Sequence, residues 1–404
     1  MTHFEFDYIN IEVVSGNIDL ALNSSSKSVF HADVLDFIST LSREILSNSE
    51  ARDFPDLISV GFSLRPAVIT SYLEKAHNSY VRKGRGLAFH VTPSNVPLNF
   101  VYSYIFSLLA GNSNLIRLSS RNFPQIDVFV EILNRVLLNE KFIWVRNSTC
   151  LIRYSHEKTI TDYFSSICDA RIIWGGDKTI RDIKESEISL RSVDLTFPDR
   201  YSMSLIKAEN FNSSDDRMKD NLVSRFFTDS YLFDQQGCSS PKLICWVGDD
   251  SVIDDAQKLF WEKLGDIAKQ RYDLQMKSSM DKYIDICAIA AESGSNLRIT
   301  MPNNFLARIE VGQESKLIGT HQGQFGTFVE CRIQTLDELA DLTSDHFQTV
   351  TYFGFEIHSL KGAISNLNLR GVDRIVPIGN AFDISINWDG INFVESLSRI
   401  VDFV

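Results

Sequence analysis

This sequence lacks most of the signatures that identify a chemistry at sight. Its six cysteines include no C-x2-C pair or other metal spacing, so neither a metal site nor a disulfide framework is expected. There is no P-loop, no G-x-S-x-G elbow and no H-E-x-x-H, and the eight histidines show no ligand spacing. Gly84-Arg85-Gly86 has two glycines of a dinucleotide fingerprint but precedes a strand instead of following one, and is set aside. Basic residues are also in deficit. The net charge of −12 argues against nucleic acid or an anionic membrane surface as the main partner, although an anionic cofactor needs only a local basic pair. Charge of either sign is missing between Arg85 and Arg117. Pro93, Ser94, Asn95 and Pro97 interrupt that stretch, leaving an apolar piece shorter than the ~20 residues of a membrane span. It reads instead as a buried strand, a tight turn and a buried helix. The start, Met1-Thr2-His3-Phe4-Glu5-Phe6-Asp7, has no basic region followed by an apolar stretch. A cytoplasmic, reducing setting is therefore expected, in which the Asn147-Ser148-Thr149 triplet means nothing.

What is present is α/β alternation. At 404 residues the chain is long for one core, so two domains are expected. Residues 30–80 read as helical, with Val34, Phe37, Ile38, Leu41 and Ile45 at helix spacing. Leu87–Val91, Asn114–Leu118, Leu151–Tyr154 and Ala170–Trp174 then read as strands separated by helical segments. That alternation implies right-handed crossovers, a parallel sheet, and ligands at the strands' carboxyl ends. A second α/β series surrounds the strand Lys242–Val247. The expected division is 1–205 for a helical region and nucleotide-binding domain, 206–365 for a second α/β domain, and 366–404 for a segment returning to the first.

Three strand-to-helix turns of the first domain could carry chemistry. In Thr92-Pro93-Ser94-Asn95-Val96-Pro97, Asn95 stands at a strand's end; spacing alone favours an N-cap, and the alternative is an amide donor to an oxyanion. Arg117-Leu118-Ser119-Ser120-Arg121 offers two arginines and two hydroxyls suited to a phosphate, although a solvated loop has the same composition. Trp174-Gly175-Gly176-Asp177 puts two glycines before a helix N-terminus, where backbone can approach an anion or simply turn tightly. In the second domain, Cys238 sits in the polar turn Asp234-Gln235-Gln236-Gly237-Cys238-Ser239-Ser240-Pro241. A cysteine in a core behaves as a small hydrophobe, whereas one displayed beside Gly and Ser can act as a nucleophile. Cys168, Cys245, Cys287 and Cys331 have apolar or periodic neighbours, and Cys150 opens an alternating segment.

Together these turns resemble the aldehyde dehydrogenase superfamily, and more closely its LuxC-type fatty-acyl-CoA reductase branch. Pro93-Ser94-Asn95-Val96-Pro97 is similar to the P-x-N-x-P turn, Ile116-Arg117-Leu118-Ser119 to the adenosine-ribose segment, and Gln236-Gly237-Cys238 to the Q-x-C nucleophile. The most specific resemblance is Arg370-Gly371-Val372-Asp373-Arg374-Ile375-Val376-Pro377-Ile378-Gly379 with Trp388-Asp389-Gly390. The resemblance implies an aldehyde-dehydrogenase-like fold of two α/β domains with mainly parallel sheets. It implies Cys238 and Asn95 as catalytic residues. Thr92, Pro93, Ser94, Arg117, Ser119, Ser120, Arg121, Trp174, Gly175 and Gly176 would line the cofactor, with no metal.

The departures are informative. Where hydrolytic aldehyde dehydrogenases carry the Glu of E-L-G-G-K, this chain has Thr196-Phe197-Pro198-Asp199-Arg200. Loss of that base fits reduction of an activated acyl group. Ser120 and Arg121 replace the acidic residue often found after the ribose segment, which favours NADPH. The nicotinamide-ribose Glu would fall at Gly323, so that contact must differ. The implied activity is NADPH-dependent reduction of an acyl-CoA or acyl-protein thioester to an aldehyde. The acyl group would come from free acyl-CoA or from an acyl-protein synthetase partner, and the assembly would be a homo-oligomer. A non-redox acyl carrier subunit and a hydrolytic aldehyde dehydrogenase remain the alternatives.

Overall fold

In a computed structural model of the chain, residues 10–75, 80–93, 96–293, 297–367 and 369–403 are described. The chain forms two compact units, one of residues 1–198 and 384–404, the other of residues 199–383. This division differs from the expected 1–205 and 366–404 for a reason of strand pairing. Tyr201–Lys207 and Arg374–Pro377 both hydrogen-bond within the second unit's sheet.

The strands of the first unit are β1 (Glu12–Gly16), β2 (Val81–Gly84), β3 (Leu87–Val91), β4 (Ser113–Arg117), β5 (Thr149–Arg153), β6 (Ala170–Trp174) and β7 (Val193–Phe197). All but β2 form one sheet in the order β1-β5-β4-β3-β6-β7, antiparallel only between β1 and β5. Strands covered on both faces read as continuous apolar runs, and β3 and β6 are buried at every position. The uncharged stretch after Arg85 is β3 followed by the helix Asn99–Leu109, nearly all of whose side chains are buried. Gly86 is a structural turn residue: its φ is +144°, and a Cβ there would collide with the Asp169 carboxylate that holds the Leu87 N–H at 2.8 Å. Because the chain runs from β3 outward through β4 to β5, then back to β6 on the other side, the sheet reverses direction between β3 and β6. Ligands in open α/β sheets sit at such points.

The second unit contains β8 (Tyr201–Lys207), β9 (Pro241–Val247), β10 (Arg298–Asn303), β11 (Leu306–Glu310), β12 (Thr327–Ile333), β13 (Phe347–Phe353) and β14 (Arg374–Pro377). They form one sheet in the order β10-β11-β12-β9-β8-β13-β14, parallel except for edge strand β10. The chain then adds to the first unit a hairpin of β15 (Asn387–Trp388) and β16 (Ile391–Asn392), and β17 (Ser398–Val401) antiparallel to β2. Phe393 stacks on Phe197 at 5.1 Å, and Phe197 on Trp174 at 4.0 Å. Among the described residues no helix is long and apolar enough to cross a membrane.

Candidate active site

In the first unit those of the expected cofactor residues that are described gather at the carboxyl ends of β4, β3 and β6, which are neighbours. Thr92, just past β3, is tied to the end of β4: its N–H and hydroxyl both donate to the Arg117 carbonyl, at 3.2 and 2.9 Å. Pro93 follows it. Ser94 and Asn95, the latter the expected oxyanion donor, lie outside the described residues. The Arg117 guanidinium lies 4.5 Å over the Tyr154 ring and donates to Ser155 O at 3.4 Å. Its buried Nε has no hydrogen-bond partner among the described residues. The Ser119 hydroxyl accepts the Arg121 N–H at 3.1 Å, while Ser120 and Arg121 are exposed. Trp174 turns its ring into the core stack with Phe197, so only its backbone belongs to the turn. Gly176 is the N-cap of the helix Asp177–Lys184 and supplies no side-chain cap, leaving first-turn N–H groups available to an anion. His90, beneath this edge, is a core residue. Burial pushes its imidazole down to about 4, and its two nitrogens meet Ser103 and Asn114 at 3.1 and 3.0 Å.

The second unit presents Cys238 at the amino end of β9, not at a carboxyl end. A half-buried Cys238 occupies the turn Gly237–Ser240, closed by Ser240 N–H donating to Gly237 O at 3.0 Å. The Ser202 hydroxyl of β8 donates to Cys238 O at 2.6 Å, and Ser239 Oγ donates to Gln348 Oε1 at 3.1 Å. Cys150, Cys168, Cys245 and Cys331 are buried, and burial pushes the Cys150 and Cys168 thiols up to about 12. Cys287, expected among apolar neighbours, is exposed on the helix Met276–Ser293.

The residue that fixes the nucleophile turn is Gln235, which sequence reading passed over for Gln236. It is fully buried with a positive φ of 62°. Its amide NH2 donates to Pro241 O at 3.1 Å and Thr327 O at 2.9 Å, and its Oε1 accepts from Gly326 and Thr327 N–H at 3.1 Å each. Both ends of one side chain therefore join the turn to the start of β12. In that segment Gly323 has φ +41°, and a Cβ on it would lie 2.7 Å from Thr327 O. No glutamate fits there.

The C-terminal motif works as a scaffold. Asp373 pairs with Arg200 at 2.6 Å, Arg200 also donates to Gly371 O, and Arg374 donates to the carbonyls of Asn380, Ala381 and Asp383. Buried Asp229 accepts from the Gly379 and Ala381 N–H groups, and burial pushes its carboxyl up to about 7. The segment so held carries Phe382 against Gly237 and, at 4.8 Å, against Phe233.

Beside the turn opens a cavity of about 270 Å³ lined by Gln236, Lys242, Asp285, His321 and the segment 322–324. Lys242 Nζ donates to Gly237 O at 3.0 Å and Ser240 O at 3.4 Å. His321 Nε2 lies 3.6 Å from Asp285 Oδ2, and burial lowers the imidazole's affinity for a proton. None of these three residues was singled out from sequence. A lysine opening an otherwise apolar strand was the one available signal.

A model of the acyl-CoA reductase (LuxC) family matches residues 56–400. None of the curated proteins matches. Solved structures that resemble the chain include glyceraldehyde-3-phosphate dehydrogenase GapN from Methanocaldococcus jannaschii, complexed with NADP. It is 14% identical with a TM-score of 0.63, over 92% of this chain and 88% of that one. Aldehyde dehydrogenase 21 from Physcomitrella patens, in complex with succinate, is 12% identical with a TM-score of 0.67, over 95% and 88%. A putative methylmalonate-semialdehyde dehydrogenase from Sinorhizobium meliloti, complexed with NAD, is 13% identical with a TM-score of 0.57, over 92% and 83%. At these identities the likeness shows the fold, which is that of the aldehyde dehydrogenases.

Proposed function

The chain belongs to the acyl-CoA reductase (LuxC) family, and from that premise we propose that it reduces an acyl thioester to an aldehyde through an acyl group carried on Cys238. The observation that supports this best is the half-buried Cys238 in a turn braced by Gln235, Ser202 and Gln348. Such bracing suits a nucleophile whose attack geometry must be held.

The cofactor we assign is NADPH. The turns of the first unit would suit a nicotinamide dinucleotide: the Arg117 Nε, without a partner among the described residues, and the uncapped N-terminus after Gly176 are donors suited to phosphate. Arg121, exposed in the same loop, would hold the 2′-phosphate with Ser119 and Ser120. Thr92, Pro93 and Ser94 would border the dinucleotide, with the backbone of Trp174, Gly175 and Gly176. When bound, the dinucleotide supplies the hydride.

The chain's own residues do the rest. The Cys238 thiolate attacks the acyl carbonyl, a new C–S bond forms, and the donor's C–S bond breaks to release its thiol. Asn95 would donate to the oxyanion; losing one such donor costs about 10²–10³-fold in rate. The stretch 196–200 supplies no glutamate to activate water, and Arg200 is committed to Gly371 and Asp373. The acyl-cysteine is thus left for reduction, after which the aldehyde departs and the thiolate returns. The acyl donor would be acyl-CoA or an acyl group delivered by a synthetase partner, and the working form a homo-oligomer.

Incubation with a long-chain acyl-CoA and NADPH tests this reading, following nucleotide absorbance, aldehyde and acyl-protein together. Stoichiometric aldehyde and oxidised nucleotide are expected. An acylated protein that never consumes nucleotide would make it a carrier, and carboxylic acid from aldehyde plus NADP would make it a hydrolytic dehydrogenase.

A further inference from the structure

Lys242 is an ammonium inside a strand that is buried at every position from Pro241 to Val247. It is itself 2% exposed. A buried cation needs both hydrogen-bond acceptors and an opposing charge. The acceptors are Gly237 O and Ser240 O, the two carbonyls that bracket Cys238 in the turn. The opposing charge does not come from a paired carboxylate among the described residues. The groups whose negative charge favours the ammonium are Cys238 first and Asp199 second. Asp199 is exposed and screened by solvent. The cavity beside Lys242 brings His321 and Asp285, but these two face each other at 3.6 Å, and burial, with Lys242, lowers the proton affinity of His321. Cys238, in the turn whose Gly237 and Ser240 carbonyls Lys242 holds, is left as the group whose negative charge would oppose the ammonium.

We propose that Lys242 is the counter-ion of the Cys238 thiolate, holding the proton that the thiol has given up, so that the nucleophile stands charged before an acyl donor arrives. The transfer balances: Cys238 –SH and Lys242 –NH2 become –S⁻ and –NH3⁺. Burial disfavours the ammonium and pushes Lys242 down to about 8, and an anion beside it favours the charged form. Two of the ammonium's three N–H donors are spent on Gly237 O and Ser240 O, so Lys242 would set both charge and position. This inference rests on the assignment of Cys238 as nucleophile, not on the redox reading.

The test is alkylation by iodoacetamide across pH, with the modified residue located by mass spectrometry. It needs neither acyl donor nor nucleotide, so a protein that makes no aldehyde can still pass it. Exposed Cys287 in the same sample is the reference thiol. In the unmutated protein the half-maximal rate at Cys238 should fall at lower pH than at Cys287. Lys242→Met should move the Cys238 midpoint up by about one pH unit, slowing alkylation at pH 7 about tenfold, without moving Cys287. Lys242→Arg should keep the low midpoint. A lysine that merely filled space would alter melting and leave the midpoint alone. A folded Lys242→Met protein with an unmoved midpoint overturns the proposal. If that variant fails to fold, the unmutated profile decides: a Cys238 midpoint at or above that of Cys287 overturns it equally.

Discussion

The ring of Phe382 fills the space that a side chain on Gly237 would need. A Cβ built on Gly237 would lie 2.8 Å from Phe382 Cε1 and 3.1 Å from Cζ. Gly237 immediately precedes Cys238, and Phe382 is carried by the segment that Asp229 and Arg374 hold down. The conspicuous C-terminal motif thereby reaches the nucleophile through one ring.

Gly237→Ala should force that ring or the turn aside. Overpacking of this kind costs about 1–3 kcal/mol. A lowered denaturant midpoint and slower acylation of Cys238 are expected. Phe382→Ala in the same chain should recover much of both, because the pair shares one space and its effects do not add. Additive losses in the double variant would show that the ring and the glycine act separately.

Acyl transfer should select Cys238 although Cys287 is more exposed. Mass spectrometry after incubation with acyl-CoA should find the thioester on Cys238 alone, and Cys238→Ala should abolish acylation and reduction. Cys245 is buried beside Cys331 across β9 and β12, so Cys245→Ala should cost stability and leave acylation intact. A thioester on Cys287 would remove Cys238 from the mechanism.

The two arginines at and just past the end of β4 should differ in their effects. Arg121→Ala, at an exposed position, should raise the Michaelis constant for NADPH far more than for NADH, since a charge-assisted bond to phosphate is worth about 1.5–3 kcal/mol. Arg117→Ala should do the same and also lower stability, because its guanidinium packs over Tyr154. Equal use of both nucleotides by the unmutated protein would remove the 2′-phosphate assignment and leave the acyl-cysteine chemistry standing.

Asp229 predicts a pH effect on stability. Burial raises its folded carboxyl to about 7, opposed by its backbone partners and Arg225 and reinforced by Asp383, whereas an unfolded aspartate titrates near ~3.9. Between those values the folded chain holds a proton that the unfolded chain has lost. Its contribution is therefore fully present below about pH 4 and is lost as pH rises through about 7. Asp229→Asn should flatten that part of the stability profile measured from pH 4 to 8. It should also lower stability at acid pH, because one of two buried N–H groups loses its acceptor. A variant profile parallel to the unmutated one would place the titration elsewhere.

The sheets were legible wherever both faces of a strand are apolar. β6 falls on the expected residues 170–174, and β3 on 87–91. Two strands rich in polar residues were missed. β7 contains Asp194, whose charge is matched by buried Arg171 at 2.7 Å, and β8 contains Ser202 and Ser204, which are spent on Cys238 O and Thr351. A polar residue satisfied by a distant partner looks like a loop residue in one dimension. The same limit applied at the site. Cys238 stood out because glycine and serine flank it, but Gln235 takes its meaning from Thr327, and His321 from Asp285. Such pairings exist only after the sheet has formed.

The stack of Trp174, Phe197 and Phe393, with the pairing of β2 to β17, has a consequence for synthesis. The ribosome delivers all of residues 199–383 before it delivers Phe393 and Ser398–Val401. The inserted unit can therefore complete its seven-stranded sheet while the earlier-made unit still lacks β15, β16 and β17 and the buried rings of Trp388 and Phe393. Domains commonly fold in the order they emerge. Here the unit that carries Cys238 can mature first, and the other unit waits for residues 384–404.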